Sequence, residues 1–233
     1  MKLTEISAIL FDKDGTLFDY STSWADWVEH ILHDLSKGNK AHANAMAATI
    51  MFDMDTRRFD PSSPVIAGTI DDAAELLGVH LPQISHRALV AYLAETSAGA
   101  VMVPPVPLVP LLSRFRDQGL LMGVATNDGE MPARAHLEHA GILDFFTHVL
   151  GYDSGFIPKP DPDMLLGYAR LAGIAPETVV MVGDSTHDLV AGRAAGMRTI
   201  GVLTGLATLS DLAPYADTVV PDIGHLPDIL SGS

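Results

Sequence analysis

The chain is 233 residues long, with 14 Lys and Arg against 29 Asp and Glu, a net charge of −15 with histidine neutral, and no cysteine. The missing cysteine excludes a disulfide framework, a thiolate metal site, an iron–sulfur cluster and a cysteine nucleophile, and the acidic balance argues against a general nucleic-acid binder, which needs Lys and Arg in bulk. With 48% hydrophobic and 18% charged residues, a chain of this size buries roughly 70–75% of its unfolded surface, enough for one large core or two smaller ones.

The N-terminus reads MKLTEISAILFDKDG, with Glu5 and then Asp12 where the apolar region of a secretion signal would continue. Ile6–Phe11 is a short apolar run that ends abruptly in Asp12-Lys13-Asp14-Gly15, which predicts a buried strand delivering polar residues at its C-terminal end. From Phe18 to Ala98 the pattern turns helical. Trp24–Leu35, Lys40–Met54, Asp71–Leu77 and Ile84–Glu95 have helical periodicity with no strand between them, and the loop signals Lys37-Gly38-Asn39, Asp60 to Pro64 and Gly78 to Pro82 separate them. The proline-rich Val101–Pro110 segment leads back to strands. Leu120–Ala125, Thr178–Val182 and Thr199–Leu203 are apolar runs closed by Thr126-Asn127-Asp128-Gly129, Gly183-Asp184-Ser185 and Thr204-Gly205. Met131–Ala140, Pro162–Ala172 and Asp188–Ala195 supply helices. This alternation implies an α/β fold whose parallel sheet is covered on both faces, and such sheets bind ligands beyond the carboxyl ends of their strands. The expected division is a core over 1–17 and 98–233 with an inserted helical cap over 18–97. Ala98–Leu112, the most apolar stretch, is broken by Pro104, Pro105, Pro107 and Pro110 and falls short of the roughly 20 residues a membrane span requires. A cytoplasmic protein without a membrane partner is expected, as monomer or homodimer.

Four polar segments share the predicted sheet edge. In an extended chain Asp12 and Asp14 point to one side and Lys13 to the other, and neighbouring carboxylates hold a cation, share a proton or divide acid and nucleophile roles; an Asx-rich turn explains the same residues. In Gly183 to Asp188, Asp184 sits at the mouth of a predicted helix with Asp188 one turn on, a pattern that suits both capping and metal binding. Thr126-Asn127 offers a hydroxyl, an amide and free backbone N–H groups at a helix start, as an ordinary cap does. Lys159 stands between Pro158 and Pro160 and is one of only five lysines, so it is not part of a lysine-rich face, though a lone surface lysine explains it as well. Together these are the parts needed to handle a phosphoryl group.

The residues Asp12-Lys13-Asp14-Gly15-Thr16, Thr126-Asn127, Lys159-Pro160 and Gly183-Asp184 to Asp188, in that order, resemble the four motifs of the haloacid dehalogenase superfamily, in its phosphoglycolate-phosphatase-like branch with a helical cap. The resemblance spans essentially the whole chain and implies a Rossmann-like core and Mg²⁺-dependent hydrolysis of a small phosphorylated metabolite. By that resemblance Asp12 is the nucleophile and Asp14 the general acid and base. Thr126, Asn127 and Lys159 bind the transferring phosphoryl group. Asp12, Asp184 and the Asp14 carbonyl hold the metal, with Asp188 in support. Asp14 sets the chain apart from the dehalogenases, whose halide leaving group needs no proton. A phosphomutase remains open, as does a phosphonatase using a cap lysine such as Lys37 or Lys40, or a non-catalytic binding protein.

In the cap, Arg57-Arg58 is a rare cationic pair, and Arg58, less so Arg57, is expected to reach the substrate's leaving-group end; pairing with Asp53, Asp55 or Asp60 is the competing expectation. His30-His33-Asp34 and His136-Glu138-His139 have metal-compatible spacing but read as surface or boundary residues. His187, beside Asp184, is expected to line the cleft. Trp24, Trp27 and Met46–Met54 read as cap core, and Phe18-Asp19 and Gly99-Ala100 as hinges. No glycine-rich nucleotide loop is present.

Overall fold

The computed structural model describes residues 6–66 and 68–230; the outer ends of the expected core, including Glu5, lie outside these. In chain order the elements are β1 (Ala8–Phe11), α1 (Tyr20–Leu35), α2 (Lys40–Thr49), β2 (Phe52–Asp53), β3 (Arg58–Phe59), α3 (Ile70–Gly78), α4 (His86–Ser97), α5 (Leu108–Asp117), β4 (Leu121–Ala125), α6 (Glu130–His139), β5 (His148–Leu150), α7 (Asp163–Ala172), β6 (Val179–Gly183), α8 (Thr186–Ala194), β7 (Arg198–Val202), α9 (Leu209–Leu212), β8 (Thr218–Val220) and α10 (Leu226–Leu230).

Six strands form one parallel sheet in the order β5-β4-β1-β6-β7-β8. The expected α/β Rossmann-like core is therefore present. β1 is fully buried and pairs with β4 on one side (Ala8 with Leu121) and β6 on the other (Ala8 with Val179). The chain builds outward from β1 through β4 to β5, then returns to place β6 on β1's free edge. That reversal makes β1 a topological switch point, where open α/β sheets form their ligand crevice. The two faces of the sheet pack into separate apolar clusters. Ile9, Phe11, Val124 and Val182 point into one, and Ala8, Leu10, Ala125 and Met181 into the other, as alternation along a strand requires.

Two edge strands were not legible as runs. β5 and β8 have three residues each, too short for a periodicity. Helix α5 begins inside the proline-rich segment, with Pro107 as its N-cap and Pro110 in its first turn, where a missing N–H costs nothing.

Helices α1 to α4 and a two-stranded ribbon of β2 and β3 enclose a third apolar cluster. Helix α1 is capped by Asp19, whose side chain accepts from Thr22 N, and it buries Trp24, Val28, Ile31, Leu32 and Leu35 at helical spacing. The helix expected over Lys40–Met54 stops at Thr49 and gives way to the ribbon. The reason is local: Met51 and Arg57 adopt left-handed φ values of 54° and 56°, one ending the helix and the other completing the ribbon's turn. Both crossings between this helical unit and the sheet run side by side, with Asp19 N donating to Val103 O and Val103 N to Ser23 Oγ.

Candidate active site

Three of the four polar segments expected at the sheet edge are placed by the end of a strand. β1 delivers Asp12, β4 Thr126 and β6 Asp184, while Asp188 lies on the first turn of α8. Lys159 comes from the loop between β5 and α7, and its peptide bond to Pro160 is cis. All of them line one cleft between the sheet edge and the helical unit, about 930 Å³ counted to its open mouth.

Lys159 is the hub. Its Nζ donates to Asp12 Oδ1 at 2.6 Å, Asp188 Oδ1 at 2.6 Å and Ala125 O at 2.7 Å, and the side chain is almost dry. The loop carrying it is clamped by Asn127, whose Oδ1 accepts from Lys159 N at 3.0 Å and whose Nδ2 donates to Lys159 O at 2.9 Å. The Asn127 side chain is thus spent on positioning Lys159. Thr126 Oγ1 accepts from Asp128 N, which leaves its own proton to donate into the cleft. Ser185 caps α8, and Asp188 closes the capping box by accepting from Ser185 N and Oγ through Oδ2. Its other oxygen faces Lys159, so capping and cluster formation use opposite sides of one carboxylate.

Carboxylate oxygens of Asp12, Asp184 and Asp188 lie within 4.8 Å of one another, all three residues buried. One ammonium does not balance three such charges. Burial, with help from Asp188 and Asp14, pushes the Asp12 carboxyl up to about 7 despite Lys159. Burial again, then Asp12 and Asp188, raises Asp184 well above the carboxylate range. Burial pulls Lys159 down, but Asp12 and Asp188 outweigh it and hold the ammonium above the ordinary lysine range. A compact set of hard oxygen donors with surplus negative charge fits a small divalent cation. The surroundings are shaped to keep it compact: a Cβ built on Gly15 would stand 2.3 Å from Asp184 Oδ2, and one on Gly205 1.6 Å from it.

Asp14 departs from the expected geometry. The chain turns at Lys13, with Leu17 N and Phe18 N both donating to Lys13 O, so the alternation of an extended strand fails there. Lys13 Nζ reaches Asp14 Oδ1 at 2.8 Å, and Trp24 Nε1 donates to the same oxygen at 3.0 Å. Asp14 lines the cleft, but its carboxylate is outside the three-carboxylate group. Trp24, expected as cap core, is therefore a ligand of the candidate acid.

Sequence reasoning missed the cluster behind Lys13. The buried ammonium also meets Asp128 Oδ2 at 3.1 Å and His136 Nδ1 at 3.1 Å. His136, expected near the surface, is fully buried. An ammonium only donates, so Nδ1 accepts and the Nε2 hydrogen goes to Ser97 O at 2.7 Å. Burial, then the Lys13 charge, lowers the imidazole to about 4, keeping it neutral. The available signal was spacing: Asp128 and His136 flank the first two turns of α6.

His187 lines the cleft as expected. Arg58 is not brought there. It is exposed on β3, in register with Asp53, while the next residue, Phe59, turns inward and lines the cleft. Arg57 instead pairs with Asp26 and with Glu29, the latter at 3.1 Å. Lys37 and Lys40 are exposed and, among the described residues, no lysine of the cap lines the cleft.

The family model for haloacid dehalogenase-like hydrolases matches residues 6–196, and the chain belongs to that family. It is a phosphatase of the phosphoglycolate-phosphatase-like kind. It is 34% identical over 92% of its length to a Dickeya dadantii (strain 3937) protein named Probable phosphatase IndB, covering 88% of that protein. It is 29% identical to the phosphoglycolate phosphatase of Neisseria meningitidis serogroup A / serotype 4A (strain DSM 15465 / Z2491), over 97% of this chain and 93% of that one. Among solved structures, a predicted phosphoglycolate phosphatase from Haemophilus somnus 129PT superposes with a TM-score of 0.73 at 20% identity, covering 97% of this chain and 98% of the other. Among the described residues no helix is long and apolar enough to cross a membrane.

Proposed function

We propose that this phosphatase hydrolyses a small phosphate monoester with the help of Mg²⁺, through an aspartyl-phosphate on Asp12. The observation that carries the reading is the dry group of Asp12, Lys159, Asp184 and Asp188, with Asp12 Oδ1 held 2.6 Å from the lysine. Mg²⁺ would be held by the Asp12 and Asp184 carboxylates and the Asp14 carbonyl, with Asp188 in support, and when bound it supplies positive charge beside the phosphoryl oxygens.

An anionic nucleophile approaches a phosphate only where positive charge offsets their repulsion. Lys159, the Thr126 hydroxyl and the Asn127 backbone N–H supply such groups at the cleft. An Asp12 carboxylate oxygen forms a bond to phosphorus as the bond from phosphorus to the ester oxygen breaks, and Asp14 gives that oxygen its proton. Asp14 then takes a proton from water as the water oxygen bonds to phosphorus and the Asp12–phosphorus bond breaks, releasing inorganic phosphate. Trp24 and Lys13 both hold Oδ1 of Asp14, so Oδ2 carries the proton. Residues 18–97, as a cap on the core of 1–17 and 98–233, close over the ester and exclude bulk water. Arg58, exposed on β3, has no part in this scheme. The acidic, cysteine-free composition suits a cytoplasmic enzyme.

The test is phosphate release from a panel of esters with and without Mg²⁺, run beside Asp12→Asn. Release that requires the metal and disappears in the variant is expected. Ordinary turnover by Asp12→Asn, with deamidation excluded by mass spectrometry, removes Asp12 as nucleophile.

A further inference from the structure

We infer that the ester taken by this site has an apolar, carbon-rich leaving group, not a carboxylate or a polyol; the inference rests on the phosphatase reading above. The cleft has two chemically distinct ends. At the sheet edge lie the charged groups already described. Away from them the buried Ile31, Ile50, Leu77 and Leu93 form the floor, and the half-buried Trp27 and Phe59 form walls.

The helical unit offers this end no charge. Among the described lining residues, every Asp, Lys and His comes from the segments at the sheet edge, and Arg57 and Arg58 are not among them. Nor does it offer many polar side-chain atoms: the Tyr20 hydroxyl stands at the charged end, near Asp14 and Asp184, and others are already spent. Trp24 Nε1 is bonded to Asp14, Trp27 Nε1 donates to Thr96 Oγ1 at 3.2 Å, and Thr69 Oγ1 donates to Asp72 Oδ2 at 2.8 Å. A carboxylate on the leaving group would lose its water here, find no cation, and sit near a site whose charge is already negative. A polyol would surrender hydrogen bonds to water without replacement. An alkyl or aryl group meets neither penalty. The cleft runs from the charged sheet edge to these apolar residues, so a leaving group that extends past the phosphate meets them.

A series of linear alkyl phosphates from methyl to octyl isolates the effect, because the leaving alkoxides differ little in reactivity. Burying a methylene favours binding by up to about fourfold. The expected result is a kcat/KM that climbs about two- to fourfold per methylene until the floor is reached, with hexyl phosphate at least tenfold better than 2-phosphoglycolate or glucose 6-phosphate. Phe59→Ala should cut the hexyl-to-methyl ratio about tenfold. A second readout needs no turnover: Trp24 and Trp27 are the only tryptophans in the chain and both line the cleft, so intrinsic fluorescence reports binding of alkylphosphonates, whose affinity should rise along the same series. A flat or falling series, or a preference for 2-phosphoglycolate, overturns the apolar leaving group while Asp12-dependent phosphate release still stands. Failure to release phosphate from any ester, in folded protein supplied with Mg²⁺, overturns both readings.

Discussion

Replacing Lys159 by methionine keeps most of the side-chain volume and deletes the one ammonium that serves Asp12 and Asp188. Both contacts are 2.6 Å long, and the three side chains are 8% exposed or less, so water cannot take the lysine's place. Removing one member of such a buried ionic group costs about 3–5 kcal/mol. In a domain of this size each kcal/mol is worth about 2–4 °C, so Lys159→Met should melt roughly 6–20 °C below the parent protein in EDTA at pH 8. The loss should shrink on acidification. Asp12 has its carboxyl raised from 3.8 to about 7, so between those values the folded state binds more protons than the unfolded state and stability falls as pH rises. Without the lysine Asp12 moves higher still and is neutral at pH 5.5, where less charge is left stranded. Thermal melts of parent and variant at pH 8 and 5.5, both in EDTA, make the comparison. A shift below 2 °C at pH 8, or an equal shift at both values, would refute the picture of a dry cluster held together by one cation.

Three further outcomes follow from the same geometry. Mg²⁺ should raise the melting temperature of the parent protein more at pH 8 than at pH 5.5, because below about 7 a proton on Asp12 competes with the ion; equal shifts at both pH values would count against Asp12 as a ligand. Gly205→Ala puts a methyl where only 1.6 Å separates it from Asp184 Oδ2, so activity and Mg²⁺-induced stabilisation should both fall at least tenfold in a protein that still gives a cooperative melt. Trp24→Phe keeps the ring but loses the bond to Asp14, and with charged-acceptor bonds worth about 1.5–3 kcal/mol kcat should drop tenfold or more, read by steady-state phosphate release.

The parts of the site that lie at strand ends were readable because a short apolar run followed by Asp-x-Asp-Gly or Gly-Asp-Ser announces both the strand and what it delivers. Asp12, Thr126 and Asp184 were named from such signals, Asp188 from its spacing one helical turn on and Lys159 from its flanking prolines, and the fold brings them into one cleft. What stayed hidden depends on through-space neighbours. No pattern near Trp24 says that its indole will meet Asp14, and none near His136 says that it will receive Lys13 and hold Ser97. Arg58 shows the opposite failure: a chemically attractive residue placed by a two-residue strand, where a shift of one position exchanges arginine for Phe59 at the cleft.

The position of β1 has a consequence for how the chain is made. Its four apolar residues are made before the other strands of the sheet, yet the strands that flank them begin pairing only at Leu121 and, 58 residues later, at Val179. At about 5–20 residues per second, the nascent strand waits roughly 10–30 seconds before both edges are covered. During that interval it is a sticky, two-edged segment of the kind that recruits foreign strands. Synthesis therefore orders events strictly: Asp12, delivered by β1, is made long before Asp184, and the buried carboxylate group comes together only when β6 docks.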